Sequence, residues 1–549
     1  MRNNEKKTNW FLQLCLIISF VGYSSTSVIC AEIDSNRYQI GKQLYTHGLL
    51  PSGEPVKAVI QGDIQVEGGQ LICETCHRRS GMGSTEGQQV VPAIAGHILF
   101  KPLKLPTSRP PEPPIYRDGY TKQSLMTAIR DGVDVNGEPL DPFMPRYNID
   151  EATLDGLTTY LGTLSQAASP GVTETTIHFA TVVLASNKEE DNKALLDVMN
   201  LYEEQKNTET RHESKRAENA PWHKEWMFKP YRKWQIHTWV LTGDEESWPS
   251  QLEALYAKQP VFALLNGLVP TGWEKIHNFC ESQSLPCLFP TTQSPVVAEK
   301  YFYSIYLNKG AAHEGEAIAS YLSNSKKSVN VIQYVDTSDQ LSMMAANSLR
   351  DRLQERDIAV TDVMYSDVVE SSQQLEVSQP NQVTVLWLGQ GQTDELLTRL
   401  GKITPTSTPD VVLSTRFYGT TTDSIPSRFH DSVKFIHTSE MPQRLKRLLM
   451  RSTGWFKSKR IYNSDALEIQ ANAFFSLKVA GDALKSIRGY FFRDYFIEKI
   501  EHMIDDIPYT SIYPRVSLAP DQRFISRGFY VAGIDNSGKL VNFTDWKAP

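Results

Sequence analysis

Residues 73–77, Cys-Glu-Thr-Cys-His, constrain this chain more than any other five. Two thiols three positions apart can each add across a haem vinyl group, and the imidazole that follows at once can reach the iron. This is the spacing of c-type haem attachment. A structural zinc site needs further ligands, and only His47 and His97 lie near. A dithiol redox pair does not require the adjacent histidine. The motif therefore asks for one covalently attached haem c on Cys73 and Cys76 with His77 on the iron, and for apolar helices to cover the ring.

A second axial ligand must come from elsewhere. The run Asp141-Pro-Phe-Met-Pro-Arg-Tyr147 offers Met144 in a proline-stiffened loop, and Met/His ligation raises the reduction potential and suits electron transfer. Met82, five residues past His77, is too close to reach the far face, and Met126 falls inside a helix expected over 121–130 that Gly132 closes. His97 competes with Met144 and would give a bis-histidine iron of lower potential. Asp150 can cap a helix carrying Leu154, Leu157, Tyr160, Leu161 and Leu164 at 3–4 spacing. Ile40, Gly41, Leu44 and Tyr45 mark another helix, in which Gly41 lets a crossing helix come close.

Over roughly 36–165 the chain resembles the class I single-haem c-type cytochromes. The residues that carry the likeness are Gly41-Lys-Gln-Leu-Tyr45, the motif at 73–77, and Phe143-Met-Pro-Arg-Tyr147 leading into a final helix. The resemblance implies an all-α cytochrome c domain, with thioether bonds at Cys73 and Cys76, His77 as proximal ligand and Met144 as distal ligand. Two segments depart from the smallest cytochromes. Residues 49–70 lengthen the approach to the motif, and Pro102, Pro106, Pro110, Pro111, Pro113 and Pro114 stiffen the stretch after it.

The first 31 residues read as a cleavable signal peptide. Arg2, Lys6 and Lys7 precede the apolar run 10–21, then small residues lead to Cys30-Ala31. A lipid anchor at Cys30 and an uncleaved leader are the other readings. The mature chain is expected in the periplasm without a membrane span. Cys15 and Cys30 belong to the leader and its edge, and the haem takes Cys73 and Cys76. Of six cysteines this leaves Cys280 and Cys287, which can form a disulfide in an oxidising compartment.

At 549 residues the chain exceeds one ordinary core, so the organisation is multidomain. The expected division is 32–167 for the cytochrome c domain, a small polar linker over 168–175, and 176–549 for a second module. There, strand-like runs at 177–184, 236–241, 261–265, 329–335, 383–388 and 411–413 alternate with helical runs at 251–257, 272–281, 315–322 and 340–354. Such alternation predicts parallel sheets with helices on both faces, here in two α/β lobes around a cleft. Residues 207–233 read as an insertion rich in Lys and Arg, with Trp222, Trp226, Phe228 and Tyr231 interleaved.

The second module is similar to the type I periplasmic solute-binding proteins of the leucine/isoleucine/valine-binding kind. The likeness rests on Pro260–Gly267, on Gly272-Trp-Glu-Lys, on Leu285–Thr292 and on Tyr301–Tyr306. It implies a two-lobed periplasmic-binding-protein-like domain with solute contacts from Thr271, Thr291 and Thr292, and from Tyr303 on the opposite lobe. Residues 185–191 are bulky and charged where amino-acid binders carry a Ser/Gly-rich loop, which argues against an amino-acid ligand.

A net charge of −7 argues against nucleic acid as a partner. No Gly-rich phosphate loop or Ser/His/Asp set supports an enzyme. The main expectation is a periplasmic carrier of single electrons with a fused solute- or partner-binding module. Its redox partner would be a quinoprotein dehydrogenase or another cytochrome. The alternative is a solute-binding sensor whose haem responds to redox state or to a gas.

Overall fold

A computed structural model describes residues 35–548, except 87–88, 106–114, 211–231, 298–300, 325–329, 371–381, 404–407, 488–489, 507–508 and 520–521. The leader with Cys15 and Cys30, most of the proline-rich stretch, and the four aromatic residues of the insertion lie outside the described residues. Two compact units emerge: residues up to 73 together with 99–163, and residues 74–98 together with 164 onward. The segment that begins just after Cys73 thus groups with the α/β unit, and not with the helical module expected to span 32–167.

In the smaller unit, helices Ser35–His47 and Glu151–Thr163 cross at a pair of glycines. A Cβ on Gly41 would run into the Gly156 carbonyl, so only glycine permits this approach. Tyr45 packs on Tyr160 at 5.3 Å between ring centroids. Helix Lys122–Asp131 starts in a reciprocal Thr121/Ser124 cap and ends at Gly132 in the left-handed region.

The all-α expectation needs correction. Strands Lys57–Ile60 and Ile64–Glu67 form a hairpin, and Arg146–Tyr147 pairs antiparallel with the first of them. The hairpin occupies the lengthened approach at 49–70, where the turn has Gln61 and Gly62 at φ 52° and 94°. Val59 and Ile60 followed by Gly62 and Ile64 is a short β-branched run broken by a turn, which outweighs helix formation.

Besides the antiparallel pair Ser84–Glu86 and Gln89–Val91, the described residues of the larger unit form two large sheets. The first is wholly parallel, in the order Ser304–Ile305, Cys287–Leu288, Ala263–Leu265, Thr176–Leu184, Lys233–Leu241. Along Thr176–Leu184, Ile177, Phe179 and Val183 enter one core while Ala180, Val182 and Leu184 enter the other. A strand buried on both faces reads as a near-continuous apolar run, and 177–184 is one, interrupted only by His178 and Thr181. The second sheet runs Val360–Met364, Asn330–Val335, Gln382–Trp387, Asp410–Ser414 and Val433–His437 in parallel. Tyr530–Ile534 and Leu540–Asn542 extend it antiparallel.

The chain passes between these lobes three times. After Ile305 it leaves for helix Gly310–Ser323, whose apolar face joins the second sheet's core. After His437 it returns, so that Leu449, Phe456 and helix Leu467–Ser486 complete the first lobe. From Ile525 it passes to Tyr530–Ile534. The first two crossings leave from carboxyl ends of parallel strands, and the third enters beside one, pairing Tyr530 with His437.

Cys280 and Cys287 are disulfide-bonded, joining helix Trp273–Ser282 to the strand that follows it, with Cα atoms 6.3 Å apart. The loop is short, so a Cys280→Ala/Cys287→Ala variant should lose roughly 2–3 kcal/mol. The expected readout is a lower thermal midpoint for the oxidised protein, with the gap to wild type closing under reductant.

Candidate functional site

Two regions bring together the residues singled out above. The first is the haem motif. Cys73–His77 forms a single short helix, so Cys73 and Cys76 stand almost one turn apart, and neither is in a disulfide. The Cys73 thiol lies 3.7 Å from the Tyr147 hydroxyl. His77 is buried, and its Nδ1 lies 2.9 Å from the Pro92 carbonyl. A carbonyl only accepts, so Nδ1 carries the proton and Nε2 keeps its lone pair. Burial holds the imidazole below its ordinary pKa, although the Pro92 bond opposes this. A neutral, oriented imidazole is the form that ligates iron, so these residues fit the group.

Met144 is half-buried in its own loop, where the Arg146 guanidinium donates to the Met144 and Leu140 carbonyls. His97 lies 5.3 Å from both Tyr490 and Phe492 between ring centroids, as part of an aromatic cluster.

The second region is the carboxyl edge of each sheet, where helix amino ends and loops face the crossings. On the first lobe, Leu268 and Thr291 continue the pairing beyond the strands, and Asn266 knits the two loops. The Asn266 amide donates to the Phe289 carbonyl at 2.7 Å, and its Oδ1 accepts from the Thr291 hydroxyl at 3.4 Å. The Thr292 hydroxyl donates to the Pro270 carbonyl at 3.3 Å. Thr271, Thr291 and Thr292 are all half-buried along this edge. The helix amino end beside Thr271 already has an anion: a Cβ on Gly272 would collide with the Glu245 carboxylate.

Tyr303, expected on the opposite lobe, belongs to the first. It immediately precedes the edge strand Ser304–Ile305, and its hydroxyl donates to Asp494 at 2.7 Å. Two-residue strands carry too little pattern for sequence alone to count them, and that hid the lobe to which Tyr303 belongs.

On the second lobe the carboxyl ends gather a polar knot that sequence reasoning missed. Glu314, fully buried on helix Gly310–Ser323, accepts from Arg416 Nε at 3.1 Å and from the Thr438 hydroxyl at 2.6 Å through one oxygen. Its other oxygen accepts from the Ser414 hydroxyl at 2.9 Å. Burial pulls the Arg416 guanidinium down, but Glu314, Tyr513 and Glu468 together outweigh it and raise it. Beside it, His437 shares a 2.7 Å hydrogen bond with Thr415. An arginine three residues past the apolar run Val411–Leu413 is a local sign of this site.

No family model matches the chain, and no curated protein does. Solved structures do resemble it. A leucine-binding protein of Thermotoga maritima has 12% identity and a TM-score of 0.46, covering 68% of this chain and 99% of its own. A branched-chain amino-acid ABC transporter protein of Thermus thermophilus with bound valine has 9% identity and a TM-score of 0.47, covering 69% and 98%. A fatty-acid ABC transporter substrate-binding protein of Thermomonospora curvata has 13% identity and a TM-score of 0.45, covering 70% and 95%.

One expectation is corrected. Single-electron transfer stood as the main function and solute binding as the alternative. The two-lobed α/β fold with its parallel sheets takes up most of the described chain, and that architecture accords with the solute-binding alternative and not with an electron carrier as the main reading. Among the described residues, no helix is long and apolar enough to cross a membrane.

Proposed function

We propose that the chain is an exported solute-binding protein whose two α/β lobes close on a small solute, and whose haem, attached at Cys73 and Cys76, senses redox state or a gas. The observation that carries the first half is the placing of the lobe crossings at the carboxyl edges of the parallel sheets. Hinged lobes with loops at these edges can enclose a solute. Thr271, Thr291 and Thr292 on one edge, and Arg416 and Thr438 on the other, are the proposed contacts.

For the second half, His77 supplies Nε2, with the Pro92 carbonyl fixing the ring, and Met144 is the proposed distal ligand. When bound, the haem supplies an iron that responds to redox poise or to a gas. Cleavage near Ala31 and release into the periplasm complete the proposal.

A thermal-shift screen with amino acids, short amides, alcohols and fatty acids tests the lobes. One chemical class at about 100 times its Kd should contribute about 2.7 kcal/mol to the native state and raise the midpoint by several degrees. Uniform silence across the classes would overturn the solute-binding reading. Protein made with the haem-attachment machinery should show a covalent haem spectrum, and colourless protein would overturn the sensor half.

A further inference from the structure

The segment after His77 is anchored to the first lobe by groups that the proposed solute contacts do not use. Ser80 is fully buried, and its N–H and hydroxyl both donate to the Glu498 carboxylate, at 2.8 and 2.5 Å. The Ser80 carbonyl accepts from the Ser165 hydroxyl at 2.7 Å, and the Gly81 carbonyl accepts from the N–H groups of Ile94 and Ala95. Pro92, which holds the His77 ring, is two residues before Ile94. The loop that orients the imidazole therefore closes on the turn that Glu498 grips.

Arg79 adds a second attachment. Its Nε lies 3.4 Å from Asp494, and its guanidinium sits 4.6 Å from the Phe302 ring centroid. Asp494 and Glu498 are four apart on helix Arg493–Met503, so they share one face. The Tyr303 hydroxyl donates to Asp494, and Tyr303 leads through Ser304–Ile305 directly into the first lobe crossing. A run of hydrogen bonds thus connects the His77 segment with the hinge.

A carboxyl group in this position is costly. Burial pushes Glu498 up to about 8, with Asp494 and Glu501 on its own helix adding to the rise and the Ser80 bonds opposing it. Of the charged groups that face that helix from other elements, Arg79 on the segment after His77 pairs with Asp494 and Arg523 pairs with Glu501, and burial raises the nearby Glu74 carboxyl too. An apolar side chain of similar size would pack there with less desolvation. The bonds to Ser80 give the carboxyl its purpose.

We infer that Glu498 is a positioning residue for the proximal histidine, through which the first lobe holds the haem-bearing segment in its ligating conformation. The inference rests on the sensor reading above, because it needs the haem on Cys73 and Cys76. The test uses the exported, haem-loaded full chain, with carbon monoxide binding to the reduced protein and the far-red Met-to-iron band of the oxidised protein as readouts.

Glu498→Ala removes the acceptor for two Ser80 donors, and should speed carbon monoxide binding about tenfold or more and weaken the band. Glu498→Gln keeps one acceptor for the Ser80 N–H and should stay within about threefold of wild type. Ser80→Ala, which keeps the N–H bond, covers the case in which Glu498→Ala fails to fold, and should fall between the two. Variants that load haem and match wild type in both readouts, even with a lowered unfolding midpoint, would reduce Glu498 to a structural role and overturn the inference. Colourless wild-type protein would instead remove the sensor reading on which it stands, and that failure is visible before any variant is made.

Discussion

Arg493→Ala should lower the stability of the α/β unit by about 3–5 kcal/mol, among the largest losses a single substitution can cause here. Arg493 is 6% exposed, and every guanidinium N–H has a partner. Nε donates to the Phe262 carbonyl at 3.1 Å, one terminal nitrogen to the carbonyls of Gln283 and Ser284, and the other to the Val261 carbonyl and the Tyr256 hydroxyl. Gln283 and Ser284 end helix Trp273–Ser282, so the cation sits at the negative end of that helix. Val261 and Phe262 lead into the strand Ala263–Leu265.

Truncation would leave the Val261 and Phe262 carbonyls buried and unpaired. Arg493→Lys should recover only part of the loss, because an ammonium has three donors and no planar fork. Urea unfolding followed by tryptophan fluorescence is the measurement, since none of the ten tryptophans lies in 35–73 or 99–163. An Arg493→Ala midpoint indistinguishable from wild type would refute the clamp.

Arg493 also shows where sequence reading stops. The strands 177–184, 383–388 and 411–413 were legible because burial on both faces demands near-continuous β-branched and aromatic runs. The helix 340–354 was legible because Asp339 caps it and its apolar residues recur at helical spacing. Strand Ser304–Ile305 escaped because two residues have no period to read, and the sheet order then placed Tyr303 on a different lobe from the one expected. The hairpin at 57–67 escaped because the likeness to the cytochromes concerns the helices and the haem motif, not the lengthened approach between them.

For the site, the difference is sharper. The motif proposed to carry haem is local in sequence, five adjacent residues from Cys73 to His77. The contacts that position it are not: Ser80 meets Glu498 across 418 residues, and Glu314 meets Ser414 across 100. A buried glutamate and an exposed one are the same letter, and only the fold tells which donors surround it.

Glu314→Ala is the second large effect, and its sign can be checked by a cycle. The carboxylate has no exposed surface and takes three donors from the carboxyl edge of the second sheet, those of Ser414, Arg416 and Thr438. Removing it strands two hydroxyls and a cation. The Arg416 side chain is 21% exposed, so water can recover part of the guanidinium's solvation, and the expected loss is about 2–4 kcal/mol, not the full cost of a sealed charge. Arg416→Met alone leaves Glu314 buried with only the two hydroxyls, and should cost as much or more, because that carboxylate has no route to water. The double variant removes both charges and should be less destabilised than the sum of the singles by at least about 1 kcal/mol. Additive losses in urea unfolding would mean that the two side chains do not act as a pair. The same variants bear on the cleft: if Arg416 contacts the solute, the double variant should unfold cooperatively and yet lose the thermal shift of whichever compound class stabilises the wild type, whereas an unchanged shift would leave Arg416 as a strut for the edge and assign recognition to the threonines of the first lobe.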